Sequence, residues 1–212
     1  MADADWTIRP REGLGRLEFG MCAAQVNSLS APYGTVTGRG ADRIPDDLLR
    51  ETLEMFGDAM SNDEKQALIA AYADDGPPAG SVTETRGDLV LRYEADRLCE
   101  IMPAGPRHPL FLDGRDVFAL RGLEPLDLLE RLNRSPGRYA DTEAAFDHLA
   151  ISVSGFGVSD STHGVRALDD SDERFQERTV TLRKVPYLPE QEMHRYIVHS
   201  LRTVTDRPPR QP

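Results

Sequence analysis

"GLGRLEFGMCAAQV", Gly13 to Val26, is the stretch on which the fold turns. Leu14, Leu17 and Phe19 alternate with polar or small residues as in extended chain, while Gly13, Gly15 and Gly20 punctuate them. Gly20 permits a sharp backbone turn that a side chain would obstruct. The stretch therefore predicts a strand turning tightly into a short helix over about 21–30, which Ala31-Pro32 and Gly34 then stop.

Working outward, the next periodic segment runs from Pro45 to Gly57. Pro45 suits a first helical turn, Asp46 and Asp47 suit the positive end of the dipole, and Leu48, Leu49, Leu53 and Phe56 recur at helical spacing. A further helix begins at Ser61, which forms a capping box with Glu64 and precedes a stripe of Leu68, Ile69 and Tyr72. Together they predict an αα-hairpin that displays carboxylates.

From Asp88 the period becomes two. Leu89, Leu91 and Tyr93, then Leu98 and Ile101, flank Glu94–Arg97 and predict a β-hairpin. A short strand with an Asp113-Gly114 turn follows, then a helix led by Pro125 and carrying Leu126, Leu128, Leu129 and Leu132. Strands are expected near 149–154 and 178–185, with the acidic segment between them as loop. A C-terminal helix is expected to carry Met193, Ile197, Val198 and Leu201 on one side. The sum is an α+β fold: one domain over 1–205 with an antiparallel sheet and packed helices, an acidic helical hairpin inserted at 41–76, and a disordered tail at 206–212. A faint duplication is visible, with the helix at 21–30 leading to strands at 88–103 and the helix at 124–134 leading to strands at 149–185.

Charge is the informative quantity. The chain of 212 residues has a net charge of −11, of which residues 41–76 hold −7 and residues 160–177 hold −4. The remainder is neutral. Such a field repels nucleic acid and acidic membranes and favours a basic protein partner. Asp46, Asp47, Glu51, Glu54 and Asp58 of the first block, and Asp169, Asp170, Asp172 and Glu173 of the second, are the expected partner-binding residues. There is no apolar run near 18 residues and no leader-like start, so the cytoplasm is the expected compartment.

Catalytic signatures are weak. Cys22 and Cys99 match no zinc or disulfide framework and read as small buried hydrophobes. His194 and His199 stand five apart, which on a helix points them in different directions. The run "GFGVSDSTHG" lacks the nucleophile-elbow pattern, and "ALDDSDERF" lacks the glycine and closing glutamate of a calcium loop. No cofactor and no metal is expected. The enzymatic alternative is a small hydrolase using His163 beside Asp160 or Asp170; a third reading is a regulatory or scaffold subunit.

The Gly13–Val26 stretch resembles the opening motif of the beta-lactamase inhibitor protein fold and related small bacterial domains, which include outer-membrane assembly lipoproteins and immunity-type proteins. Gly13, Gly15, Leu17, Phe19, Gly20, Met21 and Val26 are the matching positions. The resemblance implies an extended segment ending at Phe-Gly-Met and a helix packed on an antiparallel sheet. It also implies a function by binding: a cytosolic immunity or inhibitor protein that neutralises a co-produced toxin with a basic surface.

Overall fold

In the computed structural model, which describes residues 2–43, 46–56, 60–75, 78, 80–103, 105, 108–160, 162, 164–188 and 191–201, the opening stretch folds as a miniature meander. A first turn of helix, α1 (Ala2–Asp5), precedes β1 (Ile8–Arg9), β2 (Gly13–Leu14) and β3 (Leu17–Glu18), which pair in that order. Gly13 is obligatory here, because a Cβ would lie 1.8 Å from the carbonyl oxygen of Leu17. The Phe-Gly-Met step then runs beside Leu98: the Gly20 amide donates to the Leu98 carbonyl and the Leu98 amide to the Met21 carbonyl, both at 2.8 Å. The helix expected over 21–30 is two short ones, α2 (Ala23–Asn27) and α3 (Ser30–Tyr33).

Next come β4 (Gly38–Ala41), α4 (Asp46–Phe56), α5 (Asn62–Asp75), β5 (Val82–Arg86), β6 (Leu89–Glu94) and β7 (Arg97–Pro103). The β6–β7 hairpin closes on Ala95 and Asp96, both at positive φ, as a two-residue turn matched to strand twist requires. The hairpin of β8 (Phe111–Leu112) and β9 (Arg115–Asp116) turns on Asp113 and Gly114, also both at positive φ. Then follow α6 (Glu124–Asn133), β10 (Gly137–Ala140), β11 (Glu143–Phe146), β12 (Ile151–Ser154), β13 (Gly157–Asp160), β14 (Gly164–Ala167), α7 (Glu173–Gln176), β15 (Thr179–Arg183), a 3-10 turn at Met193–Arg195 and β16 (Ile197–His199).

Among the described residues nine strands form one antiparallel sheet in the order β16-β10-β11-β12-β15-β7-β6-β5-β4. The order makes the duplication visible. Each half is a small hairpin or meander, a helix and a four-stranded meander: β4 to β7 after α2, and β10 to β12 with β15 after α6. The last strands of the two halves join the sheet, with Leu182 opposite Ile101. The N-terminal meander and the β8–β9 hairpin also meet, through a Thr7–Phe111 bridge.

One face of the sheet is the core. Leu89, Leu91, Tyr93, Ile101, Phe146, Ile151, Val153, Val180 and Leu182 lie on it and pack in one cluster with Val26 of α2 and Leu126 and Leu129 of α6. The opposite face carries a polar lattice in which Arg183 bonds Glu100 at 2.6 Å and Ser152 at 2.8 Å.

Two expectations are corrected. The C-terminal segment is no helix: Ile197 and Val198, β-branched residues that pack well in strands, pair with Tyr139 and Arg138 at the sheet edge. Buried Glu130 fixes this strand by accepting from Ser200 Oγ (2.6 Å) and the Leu201 amide (2.9 Å). The acidic segment between the two late strands is not loop throughout, for it contains the β13–β14 hairpin and α7. The tail at 206–212 lies outside the described residues.

Candidate functional site

The inserted helical pair is the feature least absorbed by the fold. Its neck is tied by Asp42, which accepts from Ser81 Oγ at 2.5 Å while its amide donates to the Ser81 carbonyl at 3.0 Å. The capping box is formed: the Ser61 amide donates to Glu64 Oε2 at 2.7 Å and the Glu64 amide to Ser61 Oγ at 3.3 Å. The bonds from Ser61, backbone first and hydroxyl second, hold the Glu64 carboxyl below its ordinary range.

Beyond that neck, no described side chain of α4 or α5 is buried. Asp47, Glu51 and Glu54 fall at i, i+4 and i+7 and form one exposed stripe. None of the three makes an ion pair with another described residue. Like charges at these spacings weaken a helix by about 0.2–0.5 kcal/mol per pair, so the stripe costs the isolated hairpin stability. Leu48 and Met55 flank it, 50% and 70% exposed, and Leu68 of α5 is 44% exposed. Asp46 begins α4, and Asp58 lies outside the described residues.

The second acidic block is built differently. Asp172 caps α7 and forks onto Arg174, accepting at 2.9 Å from Nε and 2.7 Å from Nη2. The bonds from the Arg174 side chain pull the Asp172 carboxyl down to about 2. Asp170 pairs with Arg121 at 3.0 Å, and Asp169 accepts from the Ser171 hydroxyl and amide, which lowers its carboxyl below the usual range. Glu173 is exposed.

The two blocks do not share a face. The helical pair joins the Ala41 end of β4 to Val82 of β5, whereas residues 155–178 join Ser154 of β12 to Thr179 of β15. Following the antiparallel registers across β6 and β7 puts these connections at opposite ends of the strands. With strands about 4.8 Å apart and about 3.3 Å per residue along them, the separation is roughly 25–30 Å. The acidic blocks are two separate features: on α4 Asp47, Glu51 and Glu54 are unengaged, whereas in the second block Asp169, Asp170 and Asp172 are held by Ser171, Arg121 and Arg174.

The remaining chemical candidates have the following surroundings where they are described. Cys22 and Cys99 are half-buried rather than enclosed, and burial, followed by Glu94, pushes the Cys99 thiol up to about 11. His108 stacks on Trp6 with ring centroids 4.4 Å apart and lies 3.0 Å from Asp88. His148 bonds the Asn133 carbonyl at 2.7 Å. His163, the centre of the hydrolase alternative, lies outside the described residues. Among the described residues no three His, Cys, Asp or Glu side chains gather as metal ligands, and no helix is long and apolar enough to cross a membrane. A shallow hollow on the outer sheet face is lined by Ala145, Ser152, Arg183 and Tyr187.

Sequence reading missed the exposure of Leu48 and Met55. Their seven-residue spacing beside the acidic stripe was the available signal, since it sets them apart from the Leu49–Leu53 face. No family model, no curated protein and no solved structure matches this chain.

Proposed function

We propose that the chain acts by binding, as a cytosolic immunity or inhibitor protein whose helical hairpin captures a basic protein partner, a toxin domain being the simplest case. The observation that carries this reading is the α4 surface: three exposed carboxylates without ion pairs, flanked by two large wet apolar side chains. Carboxylates steer a cationic partner and set the association rate, while Leu48 and Met55 supply apolar area to be buried in contact. The doubled hairpin–helix–meander order supports the resemblance to the beta-lactamase inhibitor protein fold.

The test is comparative affinity capture from the source cells with the wild-type chain and an Asp47→Lys, Glu51→Lys, Glu54→Lys variant, followed by calorimetry on the recovered protein. A basic protein retained by the wild type and depleted at least tenfold by the variant is expected. Equal recovery by the two would refute the assignment of α4.

A further inference from the structure

Arg178 stands directly before β15 and is only 5% exposed, yet among the described residues no carboxylate pairs with it. Its guanidinium lies over the Phe175 ring at 3.6 Å, with Phe156 at 5.6 Å and Phe118 at 6.0 Å. Phe118 and Phe156 are themselves stacked, 5.8 Å between centroids. Of the polar atoms, Nη1 donates to the Phe118 carbonyl at a long 3.4 Å, and the buried Nε has no partner. Gly155 closes the back of this cage: a Cβ there would stand 2.4 Å from the Arg174 carbonyl oxygen and 3.2 Å from Arg178 Cγ.

A buried guanidinium normally has a carboxylate or phosphate against its fork of donors. Aromatic faces replace part of the lost hydration but accept no hydrogen bond. The neighbouring charges deepen the deficit: burial first, then Arg121, push Arg178 below its ordinary basicity, and Asp170 and Asp116 only partly oppose this. Asp116 Oδ1 is engaged by the amides of Leu110 and Phe118. Asp170 sits on Arg121 instead, in an ion pair open to solvent on both sides.

The geometry points to an oxyanion-binding site formed by Arg178 and Arg121, for which Asp170 is the internal competitor. Arg178 bonds the Phe118 carbonyl three residues before Arg121, and Gln176, two residues before Arg178, bonds the carbonyl of Asp170, the partner of Arg121, which brings the two cations into one locality; the ligand is a carboxylate or phosphate group that reaches both. Asp170 in the present arrangement serves Arg121 alone. The site is separate from the α4 surface and does not rest on it.

Thermal unfolding tests this with inorganic phosphate and acetate as probes, each against chloride at matched ionic strength. In the Asp170→Asn chain, Arg121 loses its internal partner and the anion meets no competitor. At ten times its dissociation constant, phosphate or acetate then raises the midpoint by about 3–5 °C, with a smaller rise in the wild type. Response to acetate identifies a carboxylate site, and response to phosphate alone a phosphate site. Arg121→Gln in the Asp170→Asn background, a surface change that leaves the cage intact, abolishes the gain. Arg178 Nε–H is followed by NMR in the same titrations and shifts saturably. An equal response in wild type, single and double variants means an adventitious ion only and overturns the proposal; so does no response in the Asp170→Asn chain.

Discussion

Arg86 donates from Nε to Glu84 Oε1 across 2.5 Å on the core face of the sheet, and both side chains are fully enclosed. Two residues apart on β5, they stand opposite Leu89 and Leu91 of β6, where a sheet core would ordinarily be apolar. Arg86 also reaches Asn27 and the Gly34 carbonyl, tying the helical layer to β5, while Tyr93 donates to Glu84 at 3.3 Å. Replacing Glu84 by Leu leaves the guanidinium buried without its counter-charge and destabilises by about 3–5 kcal/mol. Glu84→Leu with Arg86→Met recovers most of that loss. Urea denaturation of the three chains measures both numbers, and strict additivity would show the pair to be uncoupled.

The glycines of the opening stretch are unequal. At Gly20 (φ 95) a Cβ meets nothing within 4 Å, so Gly20→Ala costs only the backbone conformation, about 1–2 kcal/mol. At Gly13 and Gly15 a Cβ would lie 1.8 Å and 2.2 Å from carbonyl oxygens of Leu17 and Asp5. The backbone itself must move there, and each alanine is expected to cost about 3–4 kcal/mol. Unfolding midpoints of the three variants give the ranking.

Ser61→Ala removes the hydroxyl that accepts from the Glu64 amide, leaves the backbone amide at position 61 on Glu64, and weakens the start of α5 by about 1 kcal/mol. Because no described side chain of α4 or α5 is buried, that loss stays local. Amide exchange at residues 62–66 is expected to accelerate several-fold while the global unfolding midpoint holds. A fallen midpoint would mean that the helical pair folds cooperatively with the sheet.

Alkaline pH probes the buried phenols. Burial, with Glu84 second, raises Tyr93 above its ordinary value, and burial, with Glu130 and Asp127, raises Tyr139. Tyr33 is also raised, and burial with the bond to Glu143 pushes Tyr196 up to about 12. A raised acid is stabilised in its neutral form by folding. This stability is complete below the ordinary phenol value near 10 and is lost as pH rises through the higher folded values. Absorbance titration at pH 11 should find fewer tyrosinates in the folded chain than in urea. The Tyr139 hydroxyl is buried without a partner; Tyr139→Phe should therefore stabilise the protein by about 1 kcal/mol and extend its alkaline limit.

Local chemistry was legible where it is self-sufficient. The β6–β7 hairpin, the Asp113-Gly114 turn, the Ser61–Glu64 capping box and the proline-led helix α6 each follow from a few adjacent residues, because turns and caps are closed by neighbours in the chain. Strands β5, β10 and β11 escaped notice. "VTETR" carries Glu84 and Arg86 on its buried face, and "GRYA" buries Arg138, so neither presents the apolar alternation by which a strand is recognised. Their guanidinium groups find partners outside their own strands, Asn27 for Arg86 and Asp147, 2.7 Å away, for Arg138.

From the sequence alone came the α+β class, the inserted acidic helices and the two-block distribution of charge. Those depend on composition and on short-range periodicity. Only the tertiary structure decided that the blocks lie at opposite ends of the sheet, that the second is engaged by Arg121 and Arg174, and that Ile197–His199 is a strand. Each of those outcomes is set by which segments become neighbours in the sheet, and strand pairing is a long-range choice to which the local pattern contributes little.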